Sequence, residues 1–101
     1  MSPTDKQLRF LRGKAHALKP IIQIGQHGLT PGVAAETQRA LADHELIKVR
    51  LQGMERESRD ALVELLTQAT KSTLVTRIGH VAVLFRAKPG KSTARIVLPD
   101  P

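Results

Sequence analysis

Between Glu45 and Gln52 the chain alternates with a period of two: Ile47, Val49 and Leu51 fall on one side, Lys48 and Arg50 on the other. Successive side chains of a strand point to opposite faces, so this is a half-buried strand, Leu46 to Gln52, whose outer face is cationic. The segments on either side follow helical spacing instead. Upstream, Val33, Thr37, Ala40 and Leu41 recur at intervals of three and four; downstream, Ala61, Leu62, Leu65, Leu66 and Ala69 do the same. A strand held between two amphipathic helices places the chain in the α/β class.

The remaining elements follow from punctuation and periodicity. Thr4 or Asp5 can cap a first helix running to about His16, with Leu8, Leu11, Ala15 and Leu18 as its apolar stripe. Arg9, Arg12 and Lys14 lie largely off that stripe, and Phe10 can widen it. Gly13 weakens this helix by about 1 kcal/mol relative to Ala, which suggests a close packing contact there. Pro20 stops the helix, and Ile21-Ile22-Gln23-Ile24 reads as a short buried strand. Thr30 is a good N-cap and Pro31 fits the first helical position, so a second helix runs from Pro31 to about His44. A third spans about Arg56 to Thr70. Two strands, near Thr73–Ile78 and Val81–Arg86, are joined by the hairpin signal Gly79-His80. Lys88 to Thr93 is a basic loop, and Arg95–Leu98 forms a short last strand or an extended tail. The fold expected is a compact two-layer α/β sandwich with a four-stranded mixed sheet and about three helices. With 101 residues it forms a single domain, of which residues 88–101 are loop and tail.

Charge narrows the function. Sixteen Lys and Arg against nine Asp and Glu give +7, a balance that favours polyanionic partners. The arrangement is sharper than the total. Lys6 to Lys19 holds five basic residues and no acid, Lys71 to Pro99 six and no acid, and seven of the nine acids fall between Glu36 and Glu64. Such segregation suits a domain with one side against a polyanion. Zero cysteines exclude disulfides, thiol nucleophiles and cysteine-based metal sites. No apolar run approaches the roughly 18 residues of a membrane span, and the first residues lack the pattern of a signal peptide, so a cytoplasmic protein that binds no membrane is expected.

Gly25-Gln26-His27-Gly28 lies between a buried strand and a capped helix. Glycines at both ends allow positive φ and close backbone approach, and the helix that follows directs its free N–H groups towards the loop. This is a site for a phosphate or a sugar-phosphate backbone; the alternative is a plain tight turn. Gly90-Lys91-Ser92-Thr93 lacks the upstream glycine and following helix of a nucleotide-binding loop. The four histidines, His16, His27, His44 and His80, show no paired metal spacing, and neither His44-Glu45 nor Asp60 with Glu64 is joined by a nucleophile. No catalytic constellation, metal site or cofactor site emerges. With Phe10 and Phe85 as its two aromatic residues, the chain cannot build a base-stacking platform. Recognition through phosphates, 2′-hydroxyls and shape suits structured RNA.

Taken together, Leu11-Arg12-Gly13-Lys14-Ala15-His16, Leu18-Lys19-Pro20, Ile24-Gly25-Gln26-His27-Gly28-Leu29-Thr30 and His44-Glu45-Leu46-Ile47-Lys48-Val49-Arg50 closely resemble the CRM domain, and within it the bacterial stand-alone YhbY-like proteins. Gly79 followed by Val81-Ala82-Val83-Leu84-Phe85-Arg86 suits the closing strands of that family. The resemblance runs in order over essentially the whole chain. It implies an RNA-binding domain with a fold similar to the C-terminal domain of bacterial initiation factor three. Bacterial members of this family are associated with precursors of the large ribosomal subunit, and plant relatives serve group II intron splicing. The family's Gly-x-x-Gly loop maps onto Gly25–Gly28, and its basic surface onto the first helix and neighbouring strands. Unlike many members, this chain has no Lys or Arg between those glycines.

The expected function is therefore non-enzymatic binding of ribosomal RNA during large-subunit assembly, by a monomer without cofactor. Its RNA-binding residues would be Gly25, Gln26, His27 and Gly28 with Arg9, Arg12, Lys14, Lys19, Lys48 and Arg50. The alternative is a basic adaptor that binds an acidic protein.

Overall fold

The computed structural model describes residues 3–88 and 96–101. Along the chain run α1 (Asp5–Ala15), β1 (Pro20–Ile24), α2 (Pro31–His44), β2 (Leu46–Leu51), α3 (Arg56–Thr70), β3 (Thr73–Ile78) and β4 (Val81–Phe85). The strands form one sheet in the order β1-β2-β4-β3. The β1 and β2 strands are parallel, joined through α2, while β4 lies antiparallel between β2 and β3.

Local chemistry sets the element ends. At α1 the Thr4 hydroxyl accepts from the Gln7 amide while the Gln7 side chain accepts from the Thr4 amide, a reciprocal cap. Thr30 caps α2 by accepting from the Val33 amide at 3.1 Å, with Pro31 in the first turn. The α3 helix ends on Lys71 in the left-handed region, φ 55°, and the Ser72 amide donates to the Thr67 carbonyl. Glu45, at φ 65°, turns the chain from α2 into β2 within a single residue.

Both faces of the sheet are packed, by different helices. One face buries Ile22, Ile24, Ile47, Val49, Leu51, Ala82 and Leu84 beneath Ala40 and Leu41 of α2 and Leu62, Val63 and Leu66 of α3. The other packs Leu46, Val75, Val83 and Phe85 against Leu11 and Ala15 of α1. The four-stranded mixed sheet and the three helices are those expected. The layering goes further than a sandwich of two: α2 and α3 make the second layer, and α1 adds a partial third on the opposite face.

Several finer expectations change. The buried stripe of α3 is Leu62, Val63, Leu66 and Thr70, while Ala61, Leu65 and Ala69 are exposed. Val63 and the back-bonded Thr70, whose hydroxyl donates to the Leu66 carbonyl, rotate the stripe by one position. Gly13 makes no close contact: a Cβ there would meet nothing within 4 Å. Leu18 lies beyond α1 and is exposed, so the stripe of that helix ends at Ala15. Beyond Lys88, the expected basic loop and Arg95 lie outside the described residues. Residues 96–101 form no strand; Ile96 and Leu98 pack on the α1 core, and the Gln7 side chain donates to the Pro99 carbonyl.

Candidate nucleic-acid interface

The period-two pattern of β2 determines which face carries its cations. Leu46 belongs to the α1 core, so Lys48 and Arg50 project on the same side of the sheet as α1. Arg50 is exposed and Lys48 half-buried. On α1 itself Arg9, Arg12 and Lys14 are exposed, as is Lys19 just before β1. At 100° per residue, Arg12 and Lys14 fall on opposite flanks of the Leu11–Ala15 stripe, and Arg9 points away from it. Lys14 and Lys19 line a groove of about 420 Å³ with Ala17, Leu18, Ile21, His44 and Leu46. The Lys14 ammonium also sits 5.5 Å from the Phe10 ring centroid, a cation–π contact. Thus Lys14 and Lys19 share one groove, Lys48 and Arg50 share one strand face, and Arg9 and Arg12 belong to neither.

Six of the nine acids lie on the other side, Asp5 in the first turn of α1 being an exception. Glu36 and Asp43 on α2, and Glu55, Glu57, Asp60 and Glu64 at or on α3, are all exposed on the helical layer that covers the opposite sheet face. That layer also carries Arg39 and Arg56, both exposed, so the two sides differ in net charge rather than in the sign of every charge. Two cations of the second basic run are structural instead. Arg77 pairs with Asp60, and Arg86 donates to the Thr70 and Gln38 carbonyls and the Gln38 side chain, tying β4 to the end of α3 and to α2.

The Gly25–Gly28 loop leaves the end of β1 as a tight turn, closed by the Gly28 amide donating to the Gly25 carbonyl at 3.0 Å. Gly28 has φ 70°, and a Cβ at Gly25 or Gly28 would meet nothing within 4 Å, so the backbone is open to approach. Gln26 and His27 are exposed. The expected row of free donors at the start of α2 is shorter than the sequence suggests. Pro31 has no N–H, Thr30 accepts from the amides of Val33 and Ala34, and among the first helical amides Gly32 is left.

Two features escaped the sequence. Gly53, at φ 69°, follows β2 and packs against the Gln26 side chain; a Cβ there would stand 3.1 Å from Gln26 Cγ. The glycine after the alternating strand was visible, its contact with another loop was not. Glu45 is fully buried, and its carboxylate accepts from the amides of Lys88 and Ile96 at 3.2 and 3.1 Å. It is a structural anchor for the C-terminal segment, not the partner of His44 in acid–base chemistry.

The CRS1/YhbY (CRM) domain model matches residues 4–86. The chain belongs to the CRS1/YhbY (CRM) domain family. A relative in Haemophilus influenzae, named RNA-binding protein, is 44% identical over 95% of this chain and 94% of its own length. The Bacillus subtilis protein YqeI, named a probable RNA-binding protein, is 42% identical over 95% of this chain and 98% of its own. Among solved structures, the hypothetical protein SAV1595 of Staphylococcus aureus superposes with a TM-score of 0.82 at 36% identity, covering 97% of this chain and 100% of that one. The matched residues span α1 as well as the sheet and its two covering helices.

Proposed function

We propose that this chain is a non-enzymatic RNA-binding protein that engages ribosomal RNA of large-subunit precursors in the cytoplasm. The observation that carries the RNA reading is the separation of charge by sheet face. The α1 side holds Arg9, Arg12, Lys14, Lys19, Lys48 and Arg50, while six exposed acids lie with α2 and α3. Such a face attracts a polyanion. The relatives named as RNA-binding proteins support the same reading. Phe85 is buried and Phe10 packs on the α1 core, so neither offers a face for stacking bases. Contacts to phosphates, 2′-hydroxyls and helical shape remain, which suits structured RNA. The ribosomal part rests on the resemblance to bacterial family members associated with large-subunit precursors.

Crosslinking in cells, followed by sequencing of the attached RNA, tests this reading. Enrichment of large-subunit ribosomal RNA is the expected result. Crosslinks confined to proteins, with unlabelled RNA failing to compete in vitro, would replace RNA with an acidic protein partner.

A further inference from the structure

Three loops meet at the end of the sheet where β1 and β2 finish. The Gln52 amide donates to the Ile24 carbonyl at 2.9 Å, and the Leu51 amide to the His80 carbonyl at 2.7 Å. The Gln26 side chain lies against Gly53. Between the end of β2 and the β3–β4 hairpin turn opens a cleft of about 500 Å³, lined by Arg50, Leu51, Gln52, Gly53, His80 and Val81. That volume falls within the range of small-ligand sites, and no carboxylate lines it.

The donors around this cleft are held in place. Arg59 reaches from α3 to donate through Nη1 to the Met54 carbonyl at 3.2 Å, and the same atom stands 3.0 Å from His80 Nδ1. A guanidinium can donate and never accept, so Nδ1 accepts and the ring hydrogen sits on Nε2. Neither that Nε2–H nor the exposed Arg50 guanidinium has a partner among the described residues. Arg59 Nε is buried with no acceptor among the described residues. A buried donor left unbonded costs stability, and a side chain kept in place at that cost calls for another role.

We infer that this cleft is a subsite for one phosphodiester group of the bound RNA, with Arg50 and His80 Nε2–H as its donors and Arg59 as the positioning residue for His80. The inference rests on the RNA reading above and deepens it. Arg50 already belongs to the basic strand face, and Gly53 touches the glycine loop through Gln26. Arg50 projects on the α1 side of the sheet, and Arg59 holds His80 from the α3 side. The two donors therefore approach the cleft from opposite faces, at the same end of the sheet as the glycine loop. Gly53 has no side chain to project into the cleft, and His80 lines it from the hairpin turn.

The test is an anisotropy titration of a labelled RNA hairpin against the wild type, His80→Ala, Arg59→Lys and the double variant. A hydrogen bond to a charged phosphate corresponds to a loss of roughly tenfold or more in affinity for His80→Ala. The salt slope should stay near that of wild type, because a neutral donor displaces no counterion. Arg59→Lys should lose part of that affinity in the wild-type background and none in the His80→Ala background, since it acts through His80. Long-range ¹⁵N spectra of the wild-type imidazole, which need no variant, should show Nε2 protonated in the free protein and shifted on adding RNA. If the wild type binds RNA while His80→Ala binds equally tightly with an unshifted imidazole, the subsite is refuted and the RNA reading stands. If the wild type binds no RNA, both fall.

Discussion

Gly28 separates the loop's role in folding from its role in binding. Its φ of 70° lies in the left-handed region, while a Cβ built there meets nothing within 4 Å. Gly28→Ala therefore brings no clash, and its whole cost is backbone strain, about 1–2 kcal/mol for an L-residue in that conformation. In a domain of this size each kcal/mol shifts Tm by roughly 4–8 °C, so a fall of roughly 4–16 °C is expected. Gly25 makes the control. Its Cβ would also meet nothing within 4 Å, and its φ is not positive. Gly25→Ala should keep wild-type stability or gain up to about 1 kcal/mol from a stiffer unfolded chain. Both variants place a methyl group where a phosphate would approach the backbone, so both should weaken binding of an RNA hairpin, by roughly tenfold if one charged hydrogen bond is lost. Melting curves by circular dichroism paired with anisotropy titrations give both quantities. A Gly25→Ala variant that melts and binds like wild type, together with a Gly28→Ala variant that only melts earlier, would refute the reasoning and leave the loop as a tight turn.

Two further substitutions test the framework around the site. Thr30→Ala removes the cap on the Val33 amide and should cost about 0.5–2 kcal/mol, read from a melting curve, with a smaller change in RNA affinity. Glu45→Ala strips the acceptor from the amides of Lys88 and Ile96 in a buried setting and should cost roughly 2–5 kcal/mol; hydrogen exchange at those two amides should accelerate more than at the β2 amides.

What could be read from the sequence was what local chemistry decides. The Thr30-Pro31 pair marks the start of α2, and the alternation of Leu46–Leu51 shows which β2 residues share a face. The hairpin at Gly79-His80 follows from turn chemistry. What could not be read depends on elements distant in sequence. Nothing near Gly13 shows whether a helix packs on it, and the α3 stripe includes Thr70 because a hydroxyl can satisfy itself on the helix backbone and be buried. Arg86 counts as surface charge by composition, yet it bonds Gln38 and Thr70, far away in the chain. At the site, the residue types and the glycine loop were legible. The division of cations between the Lys14–Lys19 groove and the β2 face, and the Arg59–His80 contact, were not, because both arise where loops from separate elements meet.

The central claim is that the cationic face on the α1 side of the sheet holds the RNA. Its most direct test is a salt titration of RNA binding for the wild type and for the double variant Lys48→Glu/Arg50→Glu. Arg50 is exposed, so its reversal should cost about 0.5 kcal/mol or less. Lys48 is half-buried and accounts for most of any fall in the melting curve, against which the binding data are read. Removing two phosphate contacts should flatten the slope of log affinity against log salt by roughly 1.4, at about 0.7 per phosphate. Affinity should fall almost uniformly across unrelated RNA sequences, because phosphate contacts position a strand without reading it. A folded double variant with the slope and affinity of the wild type would contradict the account and move the RNA off this face.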